Sequence, residues 1–347
     1  MNKLIYNSET INRSITRELL QIRFSDNLNQ LRKFNILKLI RMFRLVFDLI
    51  QKIRNFRPDF VYFSFMPVGK GLWRDLIFVM VLKVFGIKTI YHLHNKGIAR
   101  NSRRIFMRNI YRYVFKNSIV IHLSEKLMKN EIDALNIKGI QRFIVPNGIK
   151  VMKQNLHNRD GVVNLLYLSN LFPQKGVFEM INMFSELVSR HDNIHLNIVG
   201  GFPDVRIQRK VEKKIREREL ESHITMVGPK YGKKKIKEFQ KAHLFVFPTA
   251  FRQECLPLVI LEAMNFGLPV VASDEGAIPE IIEDGVDGFV KSLEDHDEFV
   301  KTIEKLILDK DLRAKIGAGA RLKFRKNFTD KQVETKMAEI FEKEMQV

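Results

Sequence analysis

Residues 244–290, LFVFPTAFRQECLPLVILEAMNFGLPVVASDEGAIPEIIEDGVDGFV, admit few folds. Residues 244–247 and 270–272 are short continuous apolar runs, the pattern of strands buried on both faces of a parallel sheet. Parallel neighbours need a crossover, so the segment between them is expected to be the helix of a βαβ unit. It begins near Pro257, where a missing N–H costs nothing, and stops at Gly267, which tolerates the left-handed position after a helix. Val259, Ile260, Leu261, Ala263 and Met264 cover nearly its whole circumference, so it should be buried, with Glu262 its only charge. An unpaired buried carboxylate is costly. Glu262 therefore faces either solvent at the sheet edge or a cleft, where it accepts hydrogen bonds from ligand hydroxyls, and the sequence leaves both open. After the second strand comes a Pro-Glu turn at Pro279 and a Gly-Gly hairpin over residues 284–288.

Glu254 stands eight residues before Glu262, in the loop feeding the helix. Paired carboxylates raise glycoside hydrolysis, but eight residues of helix rise about 12 Å, beyond the roughly 5–9.5 Å of a hydrolase pair. The better arrangement has one carboxylate at the mouth of a helix and one on its flank. Free N–H groups at Leu258, Val259 and Ile260 then aim at an anion, which describes a nucleotide-diphosphate site.

Glu254, seven residues, Glu262, then GLPVVAS and IPEIIEDGVDGF resemble the signature of family-4 retaining glycosyltransferases of the GT-B fold. The similarity covers most of residues 160–325 and, more weakly, 58–150. It implies an α/β protein of two Rossmann-like doubly wound domains facing a cleft. Glu254 would lie beside the transferred sugar and Glu262 would hold the ribose hydroxyls of a sugar nucleotide. Acceptor attack would come from the front face, with retention, and the departing diphosphate would be stabilised by Lys175 and the helix N-terminus. The family needs no metal, so no cofactor is expected. Where it usually carries an arginine this chain has Asn170, leaving Lys175 as the only charged diphosphate contact unless Arg206 or Arg252 substitutes.

Charge is unevenly placed. Residues 1–150 carry 28 Lys and Arg against 9 Asp and Glu, whereas residues 151–347 carry 31 against 30. A basic first half points to an anionic partner: a membrane surface, a phosphorylated acceptor or nucleic acid. A single cysteine, Cys255, excludes a disulfide framework and reads as a packing residue. Residues 1–20 show no signal-peptide core, and no apolar run is long enough to span a bilayer. The expected location is cytoplasmic, peripheral at the inner face of the cell membrane.

Taken in order, residues 19–24 read as a strand in an opening that is otherwise loop and a short helix. Residues 34–56 read as a helix with a basic face, residues 60–65 as the first parallel strand, and residues 71–85 and 89–93 as the next helix and strand. His92 and His94 stand at the carboxyl end of that strand, where ligands bind in open α/β sheets. The phrase HLHNKG resembles the family loop whose histidine approaches the donor sugar, and His94 is the choice. Residues 100–116 read as a second basic helix, residues 119–123 as a strand, and residues 150–160 as a polar boundary. In the second half, Lys175 and Gly176 open a helix. Gly200 and Gly201 end the strand at 194–199, and Gly228 ends the strand at 224–227, near the base by resemblance. Lys233, Lys234 and Lys235 read as a solvated helix face. Asp295, His296 and Asp297 read as a helix start and not as a metal site.

The expected domains are 1–155 for the acceptor, 156–328 for the nucleotide sugar, and a helix over 329–347 packing back on the first domain. The first domain is expected to lack its opening strand and glycine turn, since the first glycine is Gly69. The partners are a nucleotide sugar, a glycan or lipid-linked acceptor and an anionic membrane surface, with bacterial surface polysaccharide or glycolipid as the product. Competing readings are a nucleotide-sugar epimerase or hydrolase on the same fold, and a basic nucleic-acid-binding protein. The second would leave both glutamates idle and shows no recognised module, so no nucleic acid is expected.

Overall fold

The computed structural model describes residues 2–22, 36–153 and 161–345. They form two compact units, Met1–Val145 with Glu334–Val347, and Pro146–Val333. Each is an α/β unit around one parallel sheet.

In the first unit β1 (Phe60–Phe65), β2 (Lys88–Leu93), β3 (Ile119–His122) and β4 (Gln141–Ile144) lie side by side in chain order, all parallel. Such an order, with right-handed crossovers, places the connecting helices on one face. That face is the core. Leu49 and Ile53 from helix Ile36–Phe56, Phe78 and Leu82 from helix Gly69–Val84, and Tyr111 and Phe115 from helix Ile105–Phe115 are buried in one cluster with strand residues such as Phe65 and Tyr91. Phe65, Tyr91 and Phe115 meet edge to face at 5.5–5.6 Å between ring centres, a favoured aromatic geometry. In register, Ser64 pairs with His92 and His92 with Ile121, so the carboxyl ends of β1, β2 and β3 are level. The last helix, Asp330–Met345, sets the Phe341 ring 5.3 Å from Phe60 and pairs Glu344 with Lys88.

Several expected elements differ. Residues 19–22 form no ladder; Leu20 and Ile22 instead rest on the core, and Arg17 Nη1 donates to the Ile5 carbonyl at 2.9 Å, pinning the segment through a side chain. Phe24, the end of that expected strand, lies outside the described residues, as do the first two residues of the helix expected over 34–56 and most of the polar stretch 150–160. The helix expected over 100–116 is broken into Ile98–Asn101 and Ile105–Phe115. Arg104 is extended (φ −86, ψ 124), and the break is held by Ser102 Oγ donating to the Ala99 carbonyl and Arg108 Nε to the Ser102 carbonyl.

The second unit contains β5 (Val163–Leu168), β6 (Ile194–Val199), β7 (Ile224–Gly228), β8 (Leu244–Phe247), β9 (Val270–Ser273) and β10 (Phe289–Lys291), ordered β10-β9-β8-β5-β6-β7. The chain starts in the middle, builds outward to β7, then returns to the other side of β5. Beside β5 the winding direction reverses, and the carboxyl end of such a switch point is where open α/β sheets bind ligands. The turn at residues 284–288 does not make a hairpin. β10 runs parallel to β9, Phe289 against Val271, and Asp284 Oδ1 accepts the Val290 N–H at 2.8 Å, turning the loop back into the sheet direction.

Candidate functional site

The carboxyl ends of β5, β6 and β7 are tied together by backbone bonds: Ser169 N to Val199 O, Leu171 N to Gly201 O, and Gly200 N to Gly228 O, at 2.9–3.1 Å. Gly200 lies so close to the end of β5 that a Cβ there would sit 1.8 Å from the Ser169 carbonyl oxygen. Gly200, Gly201 and Gly228 therefore line one edge of the switch point, where backbone and ligand can approach closely.

Gly176 does the same on the β8 side. Its φ is +90, and a Cβ would meet the Pro248 carbonyl oxygen at 1.8 Å, so only glycine joins the Pro173–Lys175 turn to helix Val177–Val188 beside the end of β8. This seats Lys175 next to the loop carrying Glu254. The Lys175 ammonium pairs with Glu254 Oε2 and lies 4.3 Å from the Phe251 ring centre, a cation–π distance. Both side chains are largely buried, at 15% and 10% exposure. The Tyr167 hydroxyl, donating to the Lys175 carbonyl at 2.9 Å, and the Ala277 N–H, donating to the Cys255 carbonyl at 2.8 Å, fix the two segments. Cys255 is buried, as a packing residue should be.

Helix Leu258–Asn265 begins at Pro257 with no side-chain cap, and Leu258 is 48% exposed there. The N–H groups of Leu258 and Val259 can face an anion, whereas that of Ile260, expected to be free, donates to the Pro257 carbonyl at 3.1 Å. On its flank Glu262 is buried, and the two readings left open for it resolve toward the interior. Lys235 Nζ lies 2.5 Å from Oε1, and Oε2 is buried with no hydrogen-bond partner among the described residues. A buried carboxylate oxygen next to an ion-paired one can still accept a hydrogen bond.

Lys235 corrects the reading of the lysine run. Lys233 and Lys234 are exposed, but Lys235 is not. The signal was available: Glu238 and Phe239, three and four residues on, are buried, so Lys235 shares the inner face of helix Gly232–Lys241. Arg206 is exposed, 3.8 Å from Asp204, and Arg252 is exposed; neither pairs with Glu254 or Glu262. Asn170 is exposed beyond the end of β5. Asp295 caps helix His296–Leu308 through the Glu298 N–H at 3.1 Å. Among the described residues no group of His, Cys, Asp and Glu is placed to hold a metal ion.

His94 belongs to the first unit, just past the end of β2. Its ring lies 4.1 Å from that of His92, whose Nδ1 is 2.8 Å from the Tyr62 hydroxyl. His122 at the end of β3 accepts the Leu123 N–H at Nδ1. The Nε2 atoms of all three imidazoles are buried without partners among the described residues. Burial pushes His94 down to about 4 and His122 down to about 3, and holds His92 well below the ordinary histidine value, the neighbouring rings adding to the effect at His92 and His122. All three are neutral at pH 7. Glu131, which sequence reasoning missed, accepts the N–H groups of Gly97 and Ala99 at 3.0 Å and fixes the loop leaving His94.

Residues 149–323 match the profile of the family described as Glycosyl transferases group 1. An uncharacterized glycosyltransferase of Methanocaldococcus jannaschii is 26% identical over 70% of this chain and 65% of its own length. The amylovoran biosynthesis glycosyltransferase AmsK of Erwinia amylovora is 25% identical over 76% and 65%. The chain thus spans just under two thirds of these relatives. Among solved structures, Anabaena HepE in complex with UDP superposes with a TM-score of 0.73 at 19% identity, covering 86% of this chain and 82% of that one. Sucrose-phosphate synthase of Thermosynechococcus elongatus gives 0.71 at 16%, covering 87% and 77%. These two likenesses concern the fold, which is GT-B.

Proposed function

The chain belongs to the group 1 glycosyl transferases, and from that premise we propose that it moves a hexose from a nucleotide-diphospho-sugar to an acceptor hydroxyl with retention at the anomeric carbon. The product would be a bacterial surface polysaccharide or glycolipid, and the relatives named for amylovoran and capsular polysaccharide synthesis support that class. The observation that carries the donor assignment is the bare Oε2 of Glu262 beside its Lys235-bound partner oxygen. It accepts the ribose hydroxyls. The diphosphate lies over the uncapped N–H groups of Leu258 and Val259, with Lys175 supplying the cation, and Gly200, Gly201 and Gly228 let the nucleotide approach the backbone.

Glu254 and His94 act at the sugar. His94, neutral at pH 7, donates or accepts a hydrogen bond without adding charge. The acceptor oxygen bonds to the anomeric carbon on the face from which the diphosphate leaves, and the acceptor proton passes to the departing phosphate oxygen. Lys175 and the helix N-terminus stabilise the charge that develops there, and no metal takes part. The acceptor is a glycan or lipid-linked hydroxyl presented at the inner face of the cell membrane, where the protein sits peripherally. No helix among the described residues is long and apolar enough to cross a membrane.

The test is a thermal-shift screen with UDP-, GDP-, ADP- and CMP-sugars, followed by turnover of the stabilising donor. One donor class should raise the melting temperature and turn over slowly without acceptor. Fast acceptor-independent turnover would favour an epimerase or hydrolase instead.

A further inference from the structure

We infer, resting on the donor site proposed above, that Asn147 and Asn265 are positioning residues that hold helix Leu258–Asn265 in register for a bound nucleotide. Asn265 ends that helix and is 1% exposed. Burying a carboxamide is costly unless its donor and its acceptor are both bonded. Here both are: Nδ2 donates to the Lys150 carbonyl at 2.8 Å, and Oδ1 accepts the Met152 N–H at 3.2 Å. A carbonyl and an N–H two residues apart are what a strand offers a parallel neighbour, so the side chain stands in for a ladder residue. At the other end of the helix, Asn147 Nδ2 donates to the carbonyl of Leu256, the residue before Pro257, at 3.2 Å. Residues 147–152 thus bond to both ends of the segment 256–265.

This strap is itself anchored. Ile149 N–H donates to the Phe328 carbonyl and Asp330 N–H to the Ile149 carbonyl, both at 3.0 Å, a parallel bridge centred on Thr329. Gly148 permits the approach: a Cβ there would lie 2.5 Å from the Thr329 carbonyl oxygen. The helix therefore rests on a segment with its own backbone pairing. The two amides act on different parts of the site. Leu256 is two residues before Leu258, so the Asn147 bond fixes the turn that aims the Leu258 and Val259 N–H groups at the diphosphate. Asn265 is three residues after Glu262, and residues so spaced are neighbours on a helix surface. Its two bonds fix the rotation of the helix and with it the direction of Glu262 Oε2. Both amides are bonded to backbone and act through the groups they hold.

The test titrates UDP, GDP, ADP and CDP, and the four monophosphates, into the full wild-type chain, Asn147→Ala and Asn265→Ala by calorimetry. For the nucleotide that binds the wild type, Asn147→Ala should lower diphosphate affinity about fivefold, the worth of one hydrogen bond. It should leave the monophosphate, which has no outer phosphate to meet the helix mouth, unchanged. Asn265→Ala should weaken both forms alike, roughly thirtyfold for two bonds, because the ribose contact through Glu262 is common to them. Hydrogen exchange needs no nucleotide: it should quicken at the first turn of the helix in Asn147→Ala and along the whole helix in Asn265→Ala, with the strands unchanged. Asn147 is half-buried, and its variant decides the matter if Asn265→Ala does not fold. Equal affinities in wild type and variants, equal loss of mono- and diphosphate in Asn147→Ala, or unchanged exchange over residues 256–265 would overturn the inference and leave the donor site standing. A wild-type chain that binds none of the nucleotides would overturn the donor site and the inference with it.

Discussion

Lys235 Nζ stands 2.5 Å from Oε1 of Glu262, 27 residues further along the chain. The pair ties helix Gly232–Lys241 to the flank of helix Leu258–Asn265. It engages one oxygen of the buried Glu262 carboxylate and leaves Oε2 without a partner among the described residues.

Replacing Lys235 with Met should leave that carboxylate buried without its cation. Since Lys235 is 27% exposed, the expected loss is below that of a fully buried pair, about 1–3 kcal/mol in stability. Nucleoside-diphosphate affinity should fall about 10- to 100-fold, with Lys235→Arg restoring most of it. Calorimetry on the two variants checks this.

Glu254→Gln should spare donor binding and lower turnover, by about 100-fold if the carboxylate stabilises the reacting sugar. Lys175→Ala, removing the partner of Glu254, should lower both. A donor titration and a single-turnover measurement on each variant separate the two effects.

The outlines of both sheets were legible because buried parallel strands read as short apolar runs. Glu254, Lys175 and the glycines could be placed on loops after strands, and Glu262 on a crossover helix, from the apolar runs on either side of them. Lys235 was not legible, because a run of three lysines looks solvated until the burial of Phe239 on the same helix face is weighed. The break at Ser102 was hidden because it rests on side-chain bonds from Ser102 and Arg108 that no periodicity records. The switch-point order of β5 and β8 is a non-local pairing that a linear reading cannot display.

Gly176→Ala should disrupt the second unit. The alanine Cβ would face the Pro248 carbonyl oxygen at 1.8 Å, from a residue at φ +90. Strain of this kind costs about 1–3 kcal/mol before any clash is relieved. A lowered melting temperature, with donor affinity lost in parallel, is the expected outcome.

The first unit should weaken on acidification. Unfolded histidine titrates near about 6.5, whereas burial holds His94 at about 4, His122 at about 3 and His92 well below the ordinary value. Between those limits the unfolded chain binds more protons, so stability is complete above about pH 6.5 and falls as pH drops toward the folded values. The slope is about 1.4 kcal/mol per pH unit for each histidine. Hydrogen exchange in the first unit across this range should show the loss, and His122→Gln should flatten it.

The central claim is that the carboxyl edge of the second sheet binds a nucleoside diphosphate through Glu262. Its most direct test is calorimetric titration of UDP, GDP, ADP and CDP into the wild-type chain and into Glu262→Gln. One nucleotide should bind the wild type and lose about 10- to 150-fold in affinity with the variant, the cost of a hydrogen bond to a charged group. Binding of none of the four, or equal binding by both proteins, would contradict the account.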